Sequence, residues 1–251
     1  MSARRFFVAP TAVGEGRISL SSELVHHIVR VLRLSAGEEV LLLDGLGNHY
    51  LSCLEDLSPT EGCARIVKQW HASETSLEIQ LIQSLPKGEK FDLILQKGTE
   101  LGISRFSPVF TERSIPVMNQ QRAGKKQVRW QRIVTEAARQ SRRAILPICD
   151  QVVSLEETLS TCRQQLKLML WEDGSLPLAE QLPEKPPENV AVLVGPEGGF
   201  SPQEAALAQA AGFLPVCLGP RILRTETAGF AVTAILEYLY GDFGVGNNAV
   251  N

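Results

Sequence analysis

The stretch Val190-Ala-Val-Leu-Val-Gly-Pro-Glu-Gly-Gly-Phe-Ser-Pro-Gln-Glu204 constrains the fold of this chain more than any other. Residues 190–194 form a strand with no polar face, as expected of a strand covered on both sides in a parallel sheet. A helix start follows a few residues later: Ser201 as N-cap, Pro202 at the first helical position, and Glu204 completing a capping box. Between strand and helix, Gly195, Gly198 and Gly199 let backbone come close to a ligand. Open α/β sheets bind ligands at this kind of strand-to-helix turn.

The pattern occurs twice. A short strand over 214–218 runs into Leu218-Gly-Pro-Arg-Ile-Leu-Arg-Thr-Glu-Thr-Ala228. A helix then covers 226–240, with Phe230, Ala234, Ile235 and Leu239 expected on its buried side. Two such units in tandem set two backbone-rich loops side by side, a cradle suited to a flat adenine and its ribose. The loops are not a dinucleotide fingerprint, since the first reads G-P-E-G-G-F and no Asp or Glu lies in 213–223 to hold a ribose. Gly124-Lys125 is not a P-loop, because Asn119 stands where the upstream glycine belongs. No G-x-S-x-G elbow offers a hydrolase nucleophile. From these residues alone the site is one for a small molecule or nucleotide; tight turns that merely close the fold are the alternative.

The rest of the chain divides near residue 72. Residues 1–72 read as short strands (4–9, 17–20, 39–43, 49–54, 64–69) and one helix reaching about Leu34 from a Ser21 or Ser22 cap. Gly45-Leu46-Gly47-Asn48 signals a hairpin, and many short strands with glycine turns suggest a small barrel. Residues 73–251 alternate strand and helix: strands over 77–82, 106–110 and 166–171, helices over 90–98 and 127–143, and a proline-rich loop over 183–188. That alternation predicts an α/β layered domain.

Net charge is only −3, but it is unevenly spread. From 113 to 143 nine Lys or Arg (Arg113, Arg122, Lys125, Lys126, Arg129, Arg132, Arg139, Arg142, Arg143) face one acid, Glu136. A basic block in an acidic protein fits either an anionic partner such as nucleic acid or a solvated helix face. In the helix over 127–143, Trp130, Ile133, Val134, Ala137 and Ala138 take core spacing, while Arg129, Arg132, Arg139 and Arg143 take the other face. Five scattered cysteines without a C-x-x-C pair argue against a disulfide framework or a cysteine zinc site, and fit reduced thiols of a cytoplasmic protein. His26 and His27 lack a metal-ligand pattern. No apolar run approaches the ~18 residues of a membrane helix. The apolar residues after Arg4-Arg5 stop at Pro10, too early for a signal peptide.

The motif G-P-E-G-G-F-S-x-x-E (195–201 with Glu204) followed by L-G-x-R-I-L-R-x-E-T-A (218–228) resembles the bacterial 16S ribosomal RNA uridine N3-methyltransferases of the SPOUT class. So do Gln96-Lys-Gly-Thr-Glu-Leu-Gly102 running on to Glu112-Arg-Ser114, Trp130-Gln-Arg-Ile133 with Glu136-Ala-Ala and Gln140-Ser-Arg142, and His27-Ile-Val-Arg-Val-Leu-Arg33. The resemblance covers nearly the whole chain in order. Its one small departure is Gly98, where the family pattern has alanine. It implies an N-terminal PUA-like β-barrel that helps bind RNA and a C-terminal SPOUT α/β domain with a deep trefoil knot. It further implies S-adenosyl-L-methionine as cofactor, no metal, a homodimer, and uridine 1498 of 16S ribosomal RNA in the small subunit as target.

Within that resemblance the cofactor-binding candidates are Gly195, Pro196, Glu197, Gly198, Leu218, Gly219, Ile222, Leu223, Arg224, Thr227 and Ala228. Uracil N3 carries a proton and attacks poorly until it is lost, so a base or a cation stabilising the developing anion is needed. Arg224 is the expected stabiliser of the uracilate, and Glu226 its orienter or proton acceptor. A structural N-terminal carboxylate is the competing account of Glu226. Arg30, Arg33, Arg113, Arg129, Arg132, Arg139 and Arg143 are the expected RNA contacts. The competing functional reading is a non-catalytic RNA-binding ribosome assembly factor, which would not need two intact glycine loops.

Overall fold

The computed structural model describes residues 3–58, 60–72, 74, 77–114, 120–173 and 175–244, with 120–125 by backbone alone. The chain separates into two compact units, 1–74 with 138–146, and 75–137 with 147–251.

The first unit is a five-stranded sheet curled about one core. Its strands are β1 (Arg4–Phe7), β2 (Arg17–Leu20), β3 (Glu39–Leu43), β4 (Asn48–Glu55) and β5 (Gly62–His71), in the order β1-β3-β4-β5-β2. Alternate residues turn inward from every strand: Phe6, Ile18, Leu20, Val40, Leu42, Tyr50, Leu54 and Ala64 all join one buried cluster. Ser21 caps helix α1 (Ser22–His26), accepting from the Leu24 N–H at 3.3 Å, and a π-type turn (His27–Val31) continues it. Val25 and Ile28 close the core. The β3–β4 hairpin forms where its glycines ask for it: Gly45 and Gly47 have φ of 75° and 97°. The Asp44 carboxylate accepts from the backbone N–H of Leu46 (2.8 Å) and Asn48 (3.1 Å).

The second unit is a three-layer α/β/α sandwich. Its strands are β6 (Glu78–Ser84), β7 (Arg105–Phe110), β8 (Ile148–Cys149), β9 (Val153–Ser154), β10 (Leu166–Leu170), β11 (Leu176–Pro177), β12 (Asn189–Val194) and β13 (Leu214–Cys217). They pair in parallel in the order β11-β13-β10-β12-β6-β7-β8, with β9 also on β7. Its helices are α2 (Lys90–Glu100), α3 (Gln120–Gln140), α4 (Leu155–Thr161), α5 (Leu178–Gln181), α6 (Pro202–Ala210) and α7 (Thr225–Tyr240). Strand β12 is buried on both faces as its sequence requires. Val190, Val192 and Val194 share one buried cluster with residues of α2, α3 and α7, while Ala191 and Leu193 share another with residues of α4 and α6. The short elements β8, β9, β11, α4 and α5 carry too little periodicity to be read from sequence.

Trp130 of α3 belongs to the first of these layers, 3% exposed and edge-on to Phe91 at 4.6 Å between ring centroids. Trp130→Ala is expected to cost about 3–5 kcal/mol, the usual range for emptying an aromatic site. Urea unfolding measures it, and a loss below about 1 kcal/mol would contradict a core role. Gly98 has a physical reason of its own. A Cβ there would lie 2.7 Å from both Ile103 Cδ1 and Phe106 Cε1, so these side chains fill the space an alanine methyl would take.

Two helices differ from the sequence expectation. Helix α3 stops at Gln140, because Arg142 adopts φ 63° and the Arg143 N–H turns back to Ala138 O at 2.9 Å. Arg143 is therefore not on the helix face. Helix α7 is rotated: its buried residues are Thr225, Gly229, Val232, Thr233, Leu236 and Glu237, and of the side expected from sequence Phe230 packs partly buried against the core and Ala234 is half-buried, while Ile235 and Leu239 are exposed. Thr225 is fastened to Gly195 O at 2.6 Å, and the helix faces Leu81 at Gly229, where a Cβ would make ordinary contact at 3.6 Å. The Thr225 bond fixes the start of the helix, and Ile235 (38%), Tyr238 (68%) and Leu239 (48%) lie at the surface.

Candidate functional site

Because β6, β7, β10, β12 and β13 run parallel, the segments leaving their carboxyl ends emerge on one edge of the sheet. The two glycine-rich loops are among them, with the start of α2 and residues 111–114.

The first loop is held from both ends. Pro196 O accepts from the Gly199 N–H at 2.9 Å, closing a turn in which Gly199 takes φ 67°. Ser201 and Glu204 form the full capping box expected of them, and the other Glu204 oxygen accepts from the Glu112 N–H at 2.7 Å. Gly198 is a close approach: its O accepts from Arg113 Nη1 at 2.8 Å, and a Cβ there would lie 3.3 Å from Arg113 Cβ.

The second loop is tied to the first by a buried latch. Gln83 Nε2, at the end of β6, reaches Ser84 O (3.0 Å), Val194 O (3.5 Å) and Thr225 Oγ1 (2.9 Å), and Thr225 Oγ1 donates to Gly195 O. Beyond the latch the loop is open. Gly219 turns with φ 104°, Ile222 is 78% exposed, and the peptide groups of 219–223 make no hydrogen bond to another described residue. Solvent-open peptide groups beside an apolar side chain suit a nucleoside, with a base to cover and edges to hydrogen-bond. Leu218, Leu223 and Ala228 are half-buried around this loop, and Thr227 is exposed on the first turn of α7. The loop residues named from sequence thus do come together.

Glu197 faces Lys90, the first residue of α2. Lys90 Nζ lies 2.8 Å from Glu197 Oε1, and the Lys87 N–H points at both Glu197 oxygens (3.2 and 3.4 Å). Burial works against ionisation of Glu197, but the hydrogen bond from Lys90, the Lys87 N–H and the lysine charge outweigh it. The carboxyl is held below the usual carboxylate range. The same hydrogen bond, against burial, raises Lys90 above its ordinary value. Glu226, on the first turn of α7, has one carboxylate oxygen buried without a hydrogen-bond partner among the described residues. That oxygen forms an ion pair with Lys90 Nζ at 3.6 Å. Arg224 caps α7 by backbone alone, its O accepting from Ala228 N at 2.8 Å. Its side chain is exposed, with no ion pair to a described carboxylate. Sequence reasoning missed Lys87, Lys90, Gln83 and Thr225. The first two stand in Leu-Pro-Lys-Gly-Glu-Lys90, whose helix-start position was legible but whose neighbours were not.

The basic residues have different fates. Arg30 is exposed after α1, and Arg33 is exposed with φ 56°. On α3, Arg132 is exposed and Arg139 half-buried, while Arg129 pairs with Asp92 and Glu89 of the α2 start. Arg143 is committed to Glu74: Nε and Nη2 lie 3.0 and 2.7 Å from Glu74 Oε2, and its side chain is only 10% exposed. The side chains of Arg122 and Lys125 lie outside the described residues. Among the described residues one group, Glu55, Asp56 and Cys63, brings possible ligand atoms within 4.8 Å. Burial and a hydrogen bond to Asp56 push the Cys63 thiol up, away from the thiolate a metal needs, and Glu55 is already paired with Arg17 and Arg65.

An RNA methyltransferase domain family matches residues 73–237, and an RNA methyltransferase PUA domain family matches 20–67. The ribosomal RNA small subunit methyltransferase E of a Synechocystis strain is 37% identical, over 94% of this chain and 78% of its own. A crystal structure of the ribosomal RNA small subunit methyltransferase E of Neisseria gonorrhoeae, bound to S-adenosyl methionine, superposes with a TM-score of 0.86 at 36% identity. It covers 96% of this chain and 100% of that one. A Legionella pneumophila methyltransferase structure with bound cofactor SAM gives the same TM-score at 32% identity, covering 95% and 98%. The chain belongs to the RNA methyltransferase family that includes the ribosomal RNA small subunit methyltransferases E.

Proposed function

We propose that this protein is a methyltransferase that uses S-adenosyl-L-methionine to methylate N3 of a uridine in 16S ribosomal RNA, at uridine 1498 of the small subunit. The observation that carries the reading is the pair of latched loops, with open peptide groups and an exposed Ile222, and a buried Glu226 oxygen held in an ion pair with Lys90. The assembly-factor reading gives that pair nothing to do.

S-adenosylmethionine supplies, when bound, a methyl group on a sulfonium sulfur that departs as a thioether. The residues to hold it are Gly195, Pro196, Glu197, Gly198, Leu218, Gly219, Ile222, Leu223, Arg224, Thr227 and Ala228, mostly through backbone. Glu226 takes the proton from N3 of a uridine drawn out of its stack, and Arg224 steadies the negative charge that spreads to the uracil oxygens. The N3 lone pair then forms the new N–C bond. Holding the partners in line supplies much of the rate. No metal is needed.

Residues 1–72 serve as the PUA-like RNA-binding barrel and 73–251 as the SPOUT domain, with the trefoil knot of that class at the two loops. Arg30, Arg33, Arg113, Arg129, Arg132 and Arg139 meet phosphate, while Arg143 holds its own segment to Glu74. The exposed Ile235, Tyr238 and Leu239 of α7 suit a second copy of the chain, giving a homodimer. The compartment is the cytoplasm.

The test is methyl transfer from labelled S-adenosylmethionine to small subunits prepared from cells without the endogenous activity, followed by nucleoside analysis. N3-methyluridine at one position supports the whole reading. Neither transfer nor cofactor binding would replace it with the assembly factor.

A further inference from the structure

We propose that a second pocket, beside the two loops, receives the base of a nucleotide next to the target uridine. Through Glu89 and Asp92 it selects a base that carries an exocyclic amino group: cytosine, adenine or guanine. The proposal rests on the reading of the protein as an RNA-methylating enzyme.

The pocket lies between the loop after β6, the first turn of α2, the end of β7 and α3. The loop after β6 and the end of β7 belong to the edge of the sheet from which the glycine-rich loops also leave. Its volume is about 60 Å³. That is room for about four waters, and so for the leading edge of a nucleobase. Leu85, Phe91, Phe110 and Trp130 give it an apolar floor. Phe91 and Trp130 are buried and packed edge-on to each other, so the floor is formed before any ligand arrives.

The rim is charged and paired. Arg129 of α3 holds Glu89 at 3.5 Å and also Asp92. Asp92 uses Oδ2 for this contact, and a carboxylate accepts about four hydrogen bonds. The rim thus offers acceptors steadied by a cation. An amino group donates to such carboxylates, which is how Asp and Glu read the amino group of cytosine. Uracil sets a carbonyl oxygen on each side of its N3–H, and carboxylates repel both. Lys126, exposed with Nζ 5.9 Å from the Trp130 ring centroid, supplies a cation for the phosphate of the same nucleotide.

The target uridine has a different place. On the first turn of α2, Lys90 turns to Glu197 and Glu226, while Glu89 and Asp92 turn to Arg129. The two sites share α2 as a wall. A helix with its side chains is about 10 Å across, so one base cannot fill both sites, whereas its neighbour in the chain reaches the second.

The test is methyl transfer to small subunits in which the nucleotide on either side of the target is changed, one at a time, to each of the four bases. At one side, uridine should raise KM for the subunit about tenfold over the best amino-bearing base, the lower part of what one good base contact discriminates. Asp92→Asn substitutes an amide that serves either kind of base edge, so this ratio should fall towards one. Lys126→Ala should raise KM for every subunit alike and keep the ratio. Comparing ratios between proteins cancels any effect of the base change on the subunit itself. Glu89→Gln, at a side chain 84% exposed, leaves the fold intact and should also lower the ratio. Equal KM for all bases at both sides in the wild type, or a ratio kept in both D92N and E89Q, would overturn the proposal. So would D92N weakening S-adenosylmethionine binding in calorimetry with KM for the subunit unchanged, since the pocket would then belong to the cofactor. Absence of transfer even to the unaltered subunit removes the underlying reading itself, and the proposal with it.

Discussion

Arg224→Ala should leave the protein folded and lower kcat for methyl transfer by roughly 10²–10³-fold, the usual effect of removing one donor to a developing oxyanion. The folding half of the prediction follows from position. Arg224 caps α7 with its backbone, its side chain is exposed, and it makes no ion pair with a described carboxylate. Alanine keeps the backbone that Ala228 needs, so the melting temperature should barely change. The activity half follows from charge. On the proposed reading uracilate spreads its negative charge over two oxygens, and the Arg224 guanidinium has no ion pair with a described carboxylate to break before meeting it. Arg224→Lys should retain part of the rate, since it keeps the charge and loses the planar fork. Steady-state kinetics with saturating cofactor and RNA separate this from weakened binding. Full turnover in the alanine variant would remove Arg224 from the chemistry.

Glu226→Gln should reduce kcat by about 10²–10⁴-fold near neutral pH, the usual contribution of a positioned base. The amide occupies the same volume at the same helix turn but cannot take the N3 proton. Its residual rate should rise with pH beyond the point where the wild type levels off, because the uridine then loses its proton to solvent. The competing account is a carboxylate that only complements the α7 dipole, worth about 0.3–1 kcal/mol of stability. On that account the variant would lose a little stability and keep both its rate and its pH profile. A single pH series on the two proteins decides between them.

Much of this site was legible in the chain. Residues 190–204 specify their own structure locally: an all-apolar strand must be covered on both faces, glycines must turn, and Ser201 with Glu204 must cap. The second loop follows for the same reason, as does Trp130 in the core, since each rests on neighbours within about a turn of helix or a strand's length. Helix α7 shows where that logic ends. Its sequence is apolar almost all round, so periodicity could not choose a face. The choice fell to Thr225 against Gly195, a partner far along the chain. Arg143 shows the same limit. It continues a helical stripe on paper, but a left-handed Arg142 ends the helix and Glu74 takes the guanidinium.

The sequence by itself determined the α/β class, the two strand–loop–helix units and the residue types available at their turns. Those depend on short-range sterics, capping and burial, which act between residues close in the chain. The tertiary structure alone decided that Lys90, Glu197 and Glu226, from three separate segments, share one charge network, and that Gln83 and Thr225 lock the two loops together. Coulomb and hydrogen-bond energies fall off over a few ångströms of space whatever the separation in sequence, so only the parallel packing of β6, β12 and β13's neighbours could bring those groups within reach.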